Sequence, residues 1–268
     1  MDDLRRELAP ISTATWAAID AEARDELGVI LAGRRIVDLT GPLGWATSAI
    51  GLGRVQALSS VPYEGVRAGL RRAQRVVELR APFELQRAEL DALGRGAHTI
   101  DLGPLRRAAS AIGMAEDGAI FHGYPDAEIE GIFTAAEAAS LSLSRDYQKY
   151  PLVVSEALAR LRTAGVGGPY VIALGPECYK GLTATATAGG YPVLEHVKQL
   201  IGGEILWAPG IRGAVVASRR GGDFELVVGR DLSIGYESHT PLTVALYLEE
   251  SLTFRVHSPE AAVPLVYR

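Results

Sequence analysis

Residues 242–257 read Leu-Thr-Val-Ala-Leu-Tyr-Leu-Glu-Glu-Ser-Leu-Thr-Phe-Arg-Val-His, and the period of this stretch decides the fold class. Leu242, Val244, Leu246, Leu248, Leu252, Phe254 and Val256 hold the even positions, interrupted by Glu250 alone. Thr243, Tyr247, Glu249, Ser251, Thr253, Arg255 and His257 fill most odd ones. Side chains alternate across a strand, so this pattern describes one long strand with a single buried face. Working outward, Ala214–Ser218 and Phe224–Val228 read as two further strands joined as a hairpin through Arg219-Arg220-Gly221-Gly222. Glu204–Trp207 and Tyr170–Leu174 are short apolar strands, and helices are expected over Val193–Leu200, from Pro176 onward, and over Leu152–Ala164. Asp101–Phe121 is a long helix with Pro104 in its first turn and Leu105, Ala109, Ile112 and Ile120 on one face. Near the N-terminus a helix capped at Ser12 carries Trp16, Ile19, Ala23 and Leu27, with Gly28 or Gly33 as its stop. A short strand, Arg35–Leu39, follows and ends at Gly41-Pro42. Helices and strands mix without regular alternation, which is α+β rather than a parallel α/β sheet.

The segment from Trp45 to Leu85 shows broken alternation, with helical signals only around Glu64 to Arg75. It reads as a strand-rich excursion containing Val55, Leu58, Val76, Val77, Leu79 and Phe83. Arms of about 12 to 15 residues at ~3.3 Å each reach ~40 to 50 Å. A compact body of this chain length has a radius of gyration of about 18 Å. Such an arm cannot bury itself on its own domain, and a lone two-stranded ribbon is marginal in water, so its partner is another subunit.

The 268 residues carry 32 acidic and 27 basic side chains, for a net charge of -5. With a pI near 5.6 there is no bulk basic excess for a nucleic-acid backbone. The hydrophobic share of 48% supplies a core and excludes a mostly disordered chain. No signal peptide is visible, and the longest uncharged stretch, Thr163 to Tyr179, is broken by glycines and prolines, so no membrane span is expected. The one cysteine, Cys178, excludes an intramolecular disulfide and suits a reducing compartment. Arginine far outnumbers lysine, and Arg67, Arg71, Arg72, Arg75, Arg80, Arg87 and Arg95 interleave with acids as a salt-bridged surface or a subunit contact.

Catalytic constellations are missing. The five histidines do not fall at zinc-ligand spacing, and neither G-x-S-x-G nor a P-loop occurs. Gly165-Val166-Gly167-Gly168-Pro169 precedes a strand where a phosphate loop must follow one. Cys178 near a helix start is either an activated thiol or a buried structural one. Glu116-Asp117, Glu128 and Glu130 are either acid–base pairs or charge on exposed helix faces and turns. No catalytic residue and no metal ligand is assigned.

Several segments together resemble the family 1 encapsulins, or linocin-like proteins, bacterial shell proteins with the fold of HK97-type phage capsids. They are Leu8-Ala9-Pro10 with Trp16 and Ile19-Asp20; Gly33-Arg34-Arg35-Ile36-Val37-Asp38 with Gly41-Pro42-Leu43-Gly44-Trp45; Glu116-Asp117 before Ile120-Phe121; Gly168-Pro169-Tyr170; and Gly190-Tyr191-Pro192. Arg220-Gly221-Gly222-Asp223-Phe224, Asp231-Leu232-Ser233-Ile234-Gly235-Tyr236 and Leu252-Thr253-Phe254-Arg255-Val256 complete the set in order along nearly the whole chain. The resemblance implies an N-terminal helix and inner-face segment over 1–44 and an extended loop over 45–85. It implies a peripheral domain from 86–133 and 241–268, and a mostly axial domain over 134–240 whose residues 223–240 return to the peripheral one. It further implies an icosahedral T=1 homo-oligomer in the cytoplasm, enclosing a cargo such as a dye-decolourising peroxidase or a ferritin-like protein held by a C-terminal targeting peptide.

By the same resemblance Arg34, Val37, Asp38, Asp231, Ile234 and Tyr236 form a cargo-docking groove. A structural Arg34–Asp38 ion pair and ordinary core are the alternative for these residues. The tip Gly181–Tyr191 corresponds to the five-fold pore loop, with Thr185, Thr187, Ala188, Gly189, Gly190 and Tyr191 lining it. That tip carries no charge, so weak charge discrimination is expected. Some relatives stack a flavin on a tryptophan where this chain has Ala88, so no flavin is expected, and no other cofactor. An HK97-type viral capsid protein, or a bacteriocin or protease, are the alternatives.

Overall fold

The computed structural model describes residues 3–187 and 189–267. From the N-terminus the chain forms helix α1 (Thr13–Ile30), strand β1 (Asp38–Thr40), the ribbon strands β2 (Ala49–Ala57) and β3 (Gly69–Arg75), and β4 (Val77–Gln86). Helices α2 (Arg87–Gly94) and α3 (Gly103–Phe121) follow, then β5 (Gly123–Tyr124), β6 (Ile129–Glu130), α4 (Ile132–Ala135), β7 (Leu141–Leu143) and α5 (Tyr150–Thr163). Next come β8 (Tyr170–Leu174), α6 (Pro176–Ala184), α7 (Val193–Ile201), β9 (Glu204–Trp207) and β10 (Ala214–Ser218). The chain closes with β11 (Phe224–Val228), β12 (Ser233–His239), β13 (Thr243–Val256) and β14 (Ala262–Tyr267).

The stretch quoted at the outset becomes β13, the spine of the molecule. One edge pairs with β4 over ten residues, from Thr243↔Gln86 to Leu252↔Val77. The other edge takes β12 along its first half and β11 along its second, and β11 carries β1 in parallel beyond it. A second five-stranded sheet runs in the order β7-β14-β10-β8-β9. Two apolar cores result. Val244, Leu246 and Leu248 pack with α1 and α3 residues such as Ile19 and Leu105, whereas Leu252 and Phe254 join the larger core around β8 and β10. β13 thus passes from one core into the other, and Glu250 stands at the crossing.

Four expectations are corrected. The β13 strand is buried on both faces from Leu246 to Phe254, because Glu249, Ser251 and Thr253 are covered as fully as the leucines. Phe224–Val228 does not form a hairpin with Ala214–Ser218: the turn between them hands the chain from one sheet to the other. The helical signal at Glu64 to Arg75 yields to pairing across the ribbon, Ala49↔Arg75 through Ala57↔Gly69, an instance of tertiary context overriding propensity. Arg35–Leu39 is a turn of 3₁₀ helix followed by β1, which starts only at Asp38. A helix the periodicity missed, α2, follows β4 directly.

The free ribbon is therefore shorter than 45–85, since β4 belongs to the body. β2 and β3 pair only with each other, and nine residues at ~3.3 Å give a strand of about 30 Å. Val55, Tyr63, Val66 and Leu70 on this arm are each more than half exposed. Its base is tied down by the Val76 amide on Ser48 O, the Gln74 side chain on Phe254 O, and the Arg230 guanidinium over the Trp45 ring. Among the described residues no helix is long and apolar enough to cross a membrane.

Candidate functional site: a groove between the N-terminal helix and strand β12

Ser12 accepts a hydrogen bond from the Thr15 amide and starts α1, which lays Ile19, Ala23 and Leu27 on the core. Where α1 ends, Asp117 fixes the chain. Its carboxylate accepts the Ala32 and Gly33 amides at 3.0 and 2.9 Å, and a Cβ at Gly33 would sit 2.6 Å from Ile120 Cδ1, so a larger residue there would have to push the Ile120 side chain aside. Burial pushes the Asp117 carboxyl up to about 7, against the pull of those two amides.

That loop presents Arg34 to three carboxylates at once. Nε donates to Glu116 Oε1 at 2.9 Å, Nη2 to Glu116 Oε2 at 2.8 Å and Glu250 Oε1 at 2.5 Å, and Nη1 to Asp231 Oδ1 at 2.8 Å. The Glu116 and Glu250 side chains are fully buried, while Asp231 is 46% exposed. Glu116 and Asp117 are therefore not solvated helix-face charges: both are 0% exposed.

Beside this joint a groove of about 470 Å³ opens between α1 and β12. Ala23, Leu27, Leu31, Leu232, Ile234 and Leu248 supply its apolar lining, with Arg34 and Asp231 at one end and Leu4 and Arg6 of the N-terminal segment at the other. Arg6 is held by Asp20 at 2.7 Å and lies over the Trp16 ring. Arg24 also lines the groove and forms no ion pair among the described residues. β12 pairs with β13 along one edge, and on the other edge its Tyr236 amide donates to Leu4 O at 2.9 Å. An apolar groove beside a nearly free strand edge is the geometry that receives an extended peptide.

Of the six residues named for docking, the structure brings Arg34, Asp231 and Ile234 into this groove. Asp38 lies apart, accepting the Gly222 amide, and makes no pair with Arg34. Val37 is buried in the larger core. Tyr236 lines a separate cavity of about 380 Å³ with Trp45, Arg80 and Tyr247, its hydroxyl sharing a hydrogen bond with His239 Nδ1. Sequence reasoning missed Glu116 and Glu250 as partners of Arg34. The signal was present: Glu116 stands four residues from both Ile112 and Ile120, on the buried face of α3.

The uncharged tip is also shorter than expected, because α6 runs through Gly181 and Leu182, both buried, to Ala184. Thr185 to Val193 then form a tight turn: the Thr187 amide donates to Tyr191 O, the Tyr191 amide donates back to the Thr187 side-chain hydroxyl, and Gly190 N donates to Thr187 O. Gly189 and Gly190 are exposed at its end, and Ala188 lies outside the described residues.

The single cysteine is not poised as a nucleophile. Cys178 is buried, with Tyr150 Oη at 3.2 Å and Tyr267 Oη at 3.3 Å, and burial pushes its thiol up rather than down. The native protein should leave a disulfide thiol reagent unreacted and consume one equivalent per chain once unfolded. Rapid labelling of the native form would contradict this burial.

The whole chain has relatives. Residues 1–253 match the family described as "Encapsulating protein for peroxidase". The chain is 51% identical over 270 residues to a Type 1 encapsulin shell protein of Rhodospirillum rubrum, spanning 99% of this chain and 96% of that one. Its identity to the Type 1 encapsulin shell protein of Mycolicibacterium paratuberculosis is 45%, over 99% of each. In fold it is similar to the virus-like particle of Pyrococcus furiosus, with a TM-score of 0.62 at 16% identity over 93% of this chain and 98% of the other. The capsid of an empty GTA particle gives 0.54 at 17%, over 88% and 89%.

Proposed function

The chain belongs to the encapsulin shell-protein family, with an HK97-type capsid fold, and from that premise we propose that it assembles into an icosahedral T=1 cage enclosing a cargo enzyme in the bacterial cytoplasm. The observation that carries this reading is the ribbon, an arm of about 30 Å with apolar side chains facing water on both sides, which only neighbouring copies can cover. The cargo is a peroxidase of the dye-decolourising class or a ferritin-like protein, and the family description names a peroxidase. Chemistry belongs to the passenger, and the cage supplies confinement.

Docking occurs at the α1/β12 groove. A C-terminal cargo segment lies along the outer edge of β12, burying apolar side chains on Leu27, Ile234 and Leu248, with Asp231 offering a partly solvated carboxylate. The turn at Thr185–Tyr191 is the pore rim, uncharged and presenting glycines to the opening.

The docking assignment is tested by Ile234→Asp. Ile234 is 4% exposed and lines the groove, so an ionised side chain there repels an apolar peptide segment. Co-expressed with its genomic neighbour cargo, the variant cage should enclose at least about tenfold less cargo, the effect of ~1.4 kcal/mol or more. Full loading by intact Ile234→Asp cages would overturn the assignment.

A further inference from the structure

Arg34 alone faces three carboxylates, two of them fully buried. Its Nη2 atom donates to Glu116 Oε2 and Glu250 Oε1 together, so those two oxygens lie side by side with one cation between them. Glu116 is satisfied as a carboxylate by its two-pronged bond to the guanidinium. Glu250 is not: Oε1 takes its one bond, and Oε2, buried, accepts none. An ionised Glu250 would leave an orphan anionic oxygen beside another carboxylate in a buried seam between two apolar cores, an arrangement of high cost. Among the described residues no group of acids is placed to hold a metal ion, so a proton is the cation that fits.

We infer that Glu250 is a neutral carboxylic acid in the native fold, its proton shared toward Glu116, and that this acid positions Arg34 and Asp231 at the end of the proposed cargo groove. With that proton present, the guanidinium balances Glu116 and spares one N–H for Asp231. When the proton leaves to solvent, two buried carboxylates compete for Arg34, and the Asp231 contact and the loop beside it loosen. The groups facing Glu250 are Arg34 from the loop after α1, Glu116 with Asp117 behind it from α3, and Asp231 from the segment before β12. Its partner on β4 is the apolar Leu79. Burial and the neighbouring Glu116 both raise the Glu250 carboxyl well above the ordinary glutamate range, consistent with this protonation. A raised acid means that the native state binds the proton more tightly than the unfolded chain, so stability falls as pH rises from 4.5 through the native titration.

The groove consequence rests on the cargo-docking reading, and the test is built to separate the two. Infrared difference spectra between the wild-type cage and Glu250→Gln at pH 7 should show a protonated-acid carbonyl band that Glu250→Gln removes, the contribution of Asp117 being common to both proteins and cancelling. An environment-sensitive fluorophore on Arg24→Cys reports the groove without any cargo. Its signal should titrate with a one-proton transition on going alkaline, tenfold in the open-to-closed ratio per pH unit, and lose that transition when Glu250→Gln is added, any change near pH 7 from Asp117 being common to both backgrounds. Absence of the acid band, or identical titrations in both backgrounds, overturns the inference. Failure of cargo capture with the acid band present would overturn only the docking reading.

Discussion

A variant in which residues 51–73 are replaced by an Asn-Gly turn stays a folded single chain and forms no cages. The cut leaves the base of the ribbon intact, since Ile50↔Gln74 remains paired, the Gln74 side chain still reaches Phe254 O, and the Val76 amide still reaches Ser48 O. It spares β4, whose ten-residue pairing with β13 is part of the body. What disappears is the arm carrying Val55, Val66 and Leu70, each 53–65% exposed. Fully burying an aliphatic side chain of that size contributes about 1.5–3 kcal/mol, so every copy loses several kcal/mol of contact with its neighbours, repeated around a closed cage. Circular dichroism should retain the helical and strand signals while sedimentation shows only the single chain. Cages assembled from this deletion would contradict the interlocking role.

Arg34→Ala is the second large effect, and it acts on the chain itself. Removing one partner of a buried ion pair costs about 3–5 kcal/mol, because the remaining charge is stranded. Here Glu116, 0% exposed, loses a two-pronged donor, and Glu250 and Asp231 lose theirs with it. The melting temperature should fall by on the order of 10 °C. The loss should shrink as pH falls, because a proton on the stranded carboxylate replaces the missing cation. Glu250→Gln should cost far less than Arg34→Ala at neutral pH, since a neutral acid is exchanged for a neutral amide of the same shape. Equal losses from the two substitutions would contradict the charge bookkeeping of the joint.

The sequence exposed the long strand, α1, α3, α5 and the β8–β10 strands because each shows a clear apolar pattern or a strong boundary, such as the cap at Ser12 before α1 or Gly165 after α5. It exposed the family through motifs spread over nearly the whole chain. It hid what depends on partners distant in sequence. Glu249, Ser251 and Thr253 look like a solvent face, but Arg80 and Arg230 reach Glu249 from β4 and the segment before β12 and let it be buried. The hairpin expectation failed because a turn such as Arg219-Arg220-Gly221-Gly222 does not specify which sheet receives the next strand. In the groove, α1 was legible from apolar spacing, and Ile234 only through the family resemblance. The pairing of Arg34 with Glu116 and Glu250 was not: helical spacing could place Glu116 on the buried face of α3, but these partners lie 82 and 216 residues away in sequence.

Sedimentation velocity combined with electron microscopy of the purified chain at neutral pH tests the central claim directly. The account predicts closed particles of uniform diameter, with next to no material at the 28.5 kDa of a single chain. A stable, monodisperse 28.5 kDa species with its ribbon ordered would contradict it.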